Sequence, residues 1–318
     1  MRGCLTLIGL IVLIVYFTPD DWLVVEEDAG GDGVTAERPI PKGRSKQVSS
    51  KGGTLSRRYV WSDINRRKFK LSGDKIIYQR GTGDPPLEMV VNLPKARVDH
   101  AIESFGVPKE RMQFSISYRT QAELEKKRRA RERFLKSRGF TRLDEQKIGP
   151  DYAWIVDTSR KDLLQTMRKL QRLAISRDYT TMRELYGVIA SFVQSLKYVI
   201  PPNTRTLPNG STVVTSGLNM PQEALITGKG DCDTVSMLFA GLTANLKTAK
   251  VILVVGERGF DHAFVGVRAV PRPGDRYISV RGVKYILIEL TNMFPIGVFP
   301  SKNWKSVQRN MYRIIPFG

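Results

Sequence analysis

Residues 227–242 read TGKGDCDTVSMLFAGL. The first half is turn chemistry: Gly228 and Gly230 flank a lysine, and Asp231 stands ahead of Cys232. The second half repeats apolar residues at helical spacing: Val235, Leu238, Phe239, Leu242 and, further on, Leu246. A helix therefore begins near Cys232, with the thiol at its N-terminus and an aspartate on either side. Downstream, KVILVVG (250–256), HAFVGVRAV (262–270) and YILIELT (285–291) read as strands, with the turn PRPGD (271–275) between the last two. Helices followed by successive strands predict an α+β domain with an antiparallel sheet.

Upstream, TSRKDLLQTMRKLQRLA (158–174) opens with Ser159 and Asp162 at capping-box-like spacing. Leu163, Leu164, Met167, Leu170 and Leu173 form a helical stripe. TTMRELYGVIASFVQSLKYV (180–199) carries a second stripe, from Met182 and Leu185 to Val193 and Leu196. Gln194 lies about 140° from the centre of that stripe, so it faces solvent or lines a cleft with Ser191 and Tyr198. Residues 120–138, TQAELEKKRRARERFLKSR, predict a helix with little apolar surface. It reads as a solvated, salt-bridged face or as a basic patch for an anionic surface. Short strand-like runs between 57 and 94, broken by Gly and Pro, allow a small β subdomain.

Lys and Arg number 51 against 31 Asp and Glu, a formal net charge of +20. That excess favours anionic partners: lipid headgroups, nucleic acid or a polyanionic polymer. Nucleic acid is not expected, because no recognised module or aromatic platform accompanies the charge. Two cysteines and two histidines give neither a disulfide framework nor zinc-finger spacing. MRGCLTLIGLIVLIVYFTPDDW (1–22) has the shape of a signal anchor or a signal peptide. Arg2 on one flank and Asp20 and Asp21 on the other put the remainder of the chain outside the cytoplasm. The expected organisation is a membrane segment over 1–25, a flexible linker over 26–56, a basic region over 57–150 and an α+β domain over 151–318.

A thiol reacts as its thiolate, and an ordinary cysteine near pKa 8.5 is only partly ionised at neutral pH. The helix N-terminus favours the anion, by about one pKa unit, while Asp231 and Asp233 oppose it. A histidine partner is needed. His100, in RVDHAIESFG (97–106), sits on an expected surface helix without support. His262 starts a strand just after a glycine turn, which is a rigid platform for a base. Glu289 is the one carboxylate in an apolar strand, where charge is costly unless paired. Antiparallel pairing of the two strands would set His262 and Glu289 side by side.

The motifs FVQSLKYV, MPQEAL, GKGDCDTVSMLFAGLT, DHAFVGV and YILIELTN together resemble the prokaryotic transglutaminase-like cysteine protease superfamily, over residues 180–295. The resemblance implies a papain-like thiol fold, with the nucleophile's helix packed on a sheet that carries His and an acid. It places the nucleophile on Cys232, the base on His262 and the acid on Glu289. The family's Phe-Val-Gln motif falls on Gln194, whose amide is a candidate oxyanion donor. Its Pro-x-Glu falls on Pro221 and Glu223, in a structural role. Asp233 and Thr234 follow the cysteine where some members have Glu and Asp. The implied activity is acyl transfer on a protein or peptide substrate, most simply as a membrane-anchored cysteine peptidase without metal or organic cofactor. Crosslinking or amidase chemistry would use the same triad. A membrane-tethered binding or assembly protein on an inactive thiol fold is the reading from another class.

Overall fold

The computed structural model describes residues 44–51, 53–72, 75–79, 85–112, 117–144 and 147–317. The apolar segment 1–25 and most of the expected linker lie outside the described residues. No helix among the described residues is long and apolar enough to cross a membrane.

The elements begin with β1 (Arg44–Lys51), β2 (Thr54–Trp61), β3 (Phe69–Ser72), β4 (Lys75–Tyr78), β5 (Leu87–Pro94), α1 (Lys95–Ser104) and β6 (Val107–Pro108). Next come α2 (Gln121–Ser137), β7 (Phe140–Arg142), β8 (Ile148–Pro150), α3 (Tyr152–Ile175) and α4 (Met182–Gln194). Short strands β9 (Lys197–Tyr198), β10 (Thr204–Thr206) and β11 (Thr212–Val214) lead to α5 (Pro221–Thr227), β12 (Lys229–Gly230) and α6 (Cys232–Thr243). The last elements are β13 (Val251–Gly256), β14 (Ala263–Arg268), β15 (Tyr277–Val280), β16 (Val283–Ile288), α7 (Ser301–Gln308) and β17 (Tyr312–Phe317).

The fold is α+β, as the order of elements predicted. Five antiparallel strands form the principal sheet in the order β15-β16-β14-β13-β17. One face, with Leu253, Val265, Val267, Ile286 and Ile288, joins the main core. There α6 packs on β13 and β14 and against α3, α4 and α5. The other face, with Ile252, Val254, Phe264 and Leu287, is covered by Phe299 and by Val307 of α7. Both faces are dry, which is why β13 and β14 read as continuous apolar runs rather than alternating ones. Leu238, Phe239 and Leu242 of α6 are fully buried. Each such side chain contributes about 1.5–3 kcal/mol by leaving water, so this packing holds the helix that presents Cys232.

Three expectations change. The linker does not extend to residue 56: β1 and β2 pair antiparallel, and β2 pairs with β5. The described strands between 57 and 94 do not all stand apart as a subdomain: β2 and β5 pack into the main core. β5 alternates, burying Leu87, Met89, Val91 and Leu93, and this face merges with the main core through Tyr59 and Trp61. The Tyr59 hydroxyl donates to the Leu225 carbonyl, and the Trp61 indole N–H donates to Ser191 Oγ at 3.3 Å. Finally, α3 starts at Tyr152 rather than at Ser159. Asp151 is its N-cap, accepting the Trp154 N–H at 3.0 Å. Ser159 lies inside the helix, buried, and donates to Gln222 Oε1.

The charged α2 has Thr120 as its N-cap and buries only Leu124 and Leu135. Lys127–Glu123 and Arg128–Glu125 pairs line its surface at 2.8 and 3.2 Å.

Candidate active site

Cys232 is the first residue of α6, and Asp231 is the N-cap. Asp231 Oδ1 accepts the Thr234 N–H at 3.0 Å, satisfying one of the four unpaired donors of a helix start. The approach is fixed as well. α5 closes on Gly228 in the left-handed region (φ 65°), a conformation that favours glycine. Lys229 and Gly230 then pair in parallel with Lys197 and Tyr198. The half-buried thiol is thus held from both sides of the α5–α6 turn.

His262 precedes β14. Gly256, at the end of β13, donates its N–H to the His262 carbonyl at 2.7 Å. The Phe260 carbonyl oxygen folds so close that a Cβ on Gly256 would lie 1.7 Å from it. Only glycine fits there, and that close approach aims the turn carrying His262.

Glu289 follows the last residue of β16. The register Val265↔Ile288 brings the start of β14 beside the end of β16. His262 Nε2 lies 2.7 Å from Glu289 Oε2. The other oxygen, Oε1, accepts the Thr291 N–H at 2.9 Å and the Thr291 hydroxyl at 2.7 Å. The carboxylate side chain is only 1% exposed, yet it is fully partnered.

Burial pushes the Glu289 carboxyl up, but His262 and Thr291 outweigh it, and the net pKa is lowered. For His262, burial pushes down while Glu289, then Asp233, push up, and the net pKa is raised. Both shifts favour an imidazolium–carboxylate pair.

The sequence set a helix end that favours the thiolate against two aspartates that oppose it, and in the structure burial joins the aspartates. Burial pushes Cys232 well above the ordinary thiol range, and Asp233 and Asp231 push it further. The backbone N–H groups of Ala263 and Asp233 act in the opposite direction but do not win. A helix end contributes about 0.3–1 kcal/mol at an exposed site, too little against desolvation and two neighbouring carboxyls. Among the described residues no hydrogen bond joins Cys232 to His262. The sulfur instead feels the N–H of Ala263, the next residue along. The Nδ1 of His262 has no partner among the described residues.

Asp233 accepts the Tyr152 hydroxyl at 2.9 Å. Ligand-type atoms of Asp231, Cys232 and Asp233 lie within 4.8 Å of one another, so this set has the donor types for a cation. Each carboxylate is already engaged, one by Thr234 and one by Tyr152.

Gln194 is a correction. It is 2% exposed, and its Nε2 donates to the Glu289 carbonyl at 2.7 Å and to the Phe294 carbonyl at 2.8 Å. An amide group has two hydrogens, and both are committed, so none remains for an oxyanion. The helical wheel misplaced it because β2 and the turn after it cover the polar side of α4. Trp61 rests on Ser191 and Phe192, and Asn65 Nδ2 donates to the Gly187 carbonyl. Pro221 starts α5, and Glu223 pairs with Arg205 at 2.8 Å. His100 is exposed on α1. The sequence reading missed Thr291, although a hydroxyl two residues after a lone buried Glu is a local signal for such a bond. It also missed Tyr152, which lies 81 residues from Asp233 and carries no local signal.

No protein-family model matches the chain, and no curated protein matches it.

Proposed function

We propose that this chain is a thiol-dependent acyltransferase built on a transglutaminase-like core, most simply a cysteine peptidase. Cys232 attacks the carbonyl carbon of an amide, and its proton passes to His262. Glu289 orients the ring, and the imidazolium then protonates the departing amine. Water resolves the thioester in a peptidase or amidase, whereas an amine resolves it in a crosslinking enzyme. The observation that carries the reading is the His262–Glu289 hydrogen bond, 2.7 Å long and dry, beside the helix start that bears Cys232. A bond on Nε2 fixes the tautomer and leaves Nδ1 for the sulfur. The apolar run at 1–25 extends the proposal to an anchored protein whose α+β part works outside the cytoplasm, with the cations of α2 available to an anionic surface.

The test is acylation of the full chain by p-nitrophenyl acetate, followed by peptide mapping. An acetyl group on Cys232 that disappears in His262→Ala supports the proposal. Wild-type protein that carries no acetyl group on Cys232 and releases p-nitrophenolate no faster than Cys232→Ala overturns it. A comparison of cleaved and crosslinked proteins in cells carrying wild type or Cys232→Ala then separates hydrolysis from crosslinking. The reading as a non-catalytic binding protein has one observation in its favour, the upward push on the thiol by burial, Asp233 and Asp231. It predicts no acylation in the same experiment.

A further inference from the structure

With the Gln194 amide committed to two carbonyls, a side-chain donor for an oxyanion has to come from another element. Strand β9 supplies one. It pairs in parallel with β12, setting Tyr198 opposite Gly230, two residues ahead of Cys232. The Val199 N–H donates to the Gly230 carbonyl at 3.0 Å, which locks that register beside the start of α6. Tyr198 is 41% exposed, so a substrate can reach it. Its hydroxyl has no hydrogen-bond partner among the described residues, so it is free to donate to a bound group. Asp231 and Asp233 are close enough to act on this phenol, yet their own bonds go to Thr234 and Tyr152.

We propose that the Tyr198 hydroxyl donates the side-chain hydrogen bond to the oxyanion formed when the Cys232 sulfur attacks a carbonyl, a role that rests on the acyl-transfer reading above. The sulfur lone pair forms the S–C bond while the carbonyl π pair moves onto oxygen. The thiol proton passes to His262. The oxyanion accepts from the Cys232 backbone N–H, a first-turn donor without an intrahelical acceptor, and from Tyr198 Oη–H, which keeps its proton. Collapse re-forms the C=O bond and expels the leaving group with its electron pair. Burial holds the phenol protonated, and the charge of Cys232, then of Asp231, Asp233 and Glu289, reinforces this, so the O–H is present as a donor throughout the neutral range.

Two reagents separate this role from a structural one. p-Nitrophenyl acetate acylates through a tetrahedral oxyanion, whereas iodoacetamide alkylates sulfur by direct displacement at a saturated carbon and forms none. In full-length Tyr198→Phe, acylation of Cys232 falls at least tenfold while alkylation keeps its wild-type rate. Tenfold is below the roughly 10²–10³ lost with a fully enclosed donor, because water reaches a half-exposed phenol. Acylation at the wild-type rate overturns the role of Tyr198 and leaves the acyl-transfer reading standing. A parallel loss of both reactions also overturns it, since a displaced helix start would slow both. Wild-type Cys232 that is alkylated but never acylated overturns the acyl-transfer reading and this inference with it.

Discussion

Replacing Gln194 by alanine separates anchoring from oxyanion donation. The Gln194 amide ties the Glu289 and Phe294 carbonyls to the C-terminal end of α4, in a place only 2% open to solvent. Truncation leaves both carbonyls without that donor, at about 1–3 kcal/mol for each, with the half-buried Phe294 carbonyl at the lower end. One gain offsets part of this. Gln194 Oε1 is itself buried without a partner, and its removal relieves a penalty of the same kind. The net loss is then about 2 kcal/mol. At roughly 2–4 °C per kcal/mol for a chain of this size, the melting midpoint drops about 4–8 °C. Phe294 lies three residues past Thr291, so the loop that supplies the bonds to Glu289 Oε1 loosens as well. Differential scanning calorimetry gives the midpoint, and Cys232 acylation below the new midpoint gives the chemistry. The expected result is a clear stability loss with acylation within a few-fold of wild type. An unchanged midpoint with acylation down about a hundredfold would refute the anchoring argument and return Gln194 to the oxyanion role.

His262→Gln tests the ion pair through pH. The lowered Glu289 contributes stability that is present above its unfolded pKa, about 4.3, and is lost as pH falls through its folded value. The raised His262 contributes stability that is present below about 6.5 and is lost as pH rises through its folded value. Wild type should therefore exceed the variant most between about pH 4.3 and 6.5, by about 3 kcal/mol; calorimetric differences that do not vary with pH count against the pair. Asp233→Asn removes a charge that opposes the thiolate while keeping an acceptor for Tyr152. The midpoint of iodoacetamide labelling of Cys232 should move to lower pH, and an unmoved midpoint contradicts the charge argument. Gly256→Ala drives a Cβ into the Phe260 carbonyl and should cost about 1–3 kcal/mol or more by chemical denaturation, a prediction that fails if stability is unchanged. Reversing Arg129 and Arg133 to Glu on the solvated face of α2 should change stability by less than about 0.5 kcal/mol each; a larger loss by thermal melting would show that the face is not solvated.

The elements legible in the sequence were those whose signals are local. Gly228, Asp231 and the apolar repeat from Val235 mark a helix start without any knowledge of the rest of the chain. The strands 250–256 and 285–291 showed themselves by composition, and a lone buried Glu in one of them demanded a partner. Residues whose burial depends on distant segments were read wrongly or stayed open. Gln194 stayed between facing solvent and lining a cleft because nothing in residues 180–199 reveals that Trp61 and Asn65 lie over α4. Ser159 looked like a cap because the buried acceptor that satisfies its hydroxyl, Gln222, is 63 residues away. β17 completes the sheet edge beside β13, yet its residues YRIIPF include a proline, which demotes a strand reading taken alone.

Under the proposed acyl transfer, the charges around Cys232 also decide how the proton must move. Burial, Asp233 and Asp231 all disfavour a standing thiolate, while Glu289 and Asp233 together favour a protonated His262. At low pH the site then holds a neutral thiol and an imidazolium, which has no basic lone pair to offer. Reaction requires one proton fewer, and that proton leaves the pair as a unit: neutral thiol with neutral imidazole, or thiolate with imidazolium, are two arrangements of the same protonation count. Since His262 is raised, this loss occurs on the alkaline side of an ordinary imidazole, about 6.5, in the range where Asp231, pushed up to about 7 by burial and by Asp233, also releases its proton. The acid limb of a Cys232 acylation profile should therefore rise above pH 6.5, not below it, and Asp233→Asn should carry it toward acid by removing a charge that holds a proton on both partners. A profile already at its plateau by pH 5.5 would mean that a thiolate stands ready at rest, against the balance of burial and charge found here.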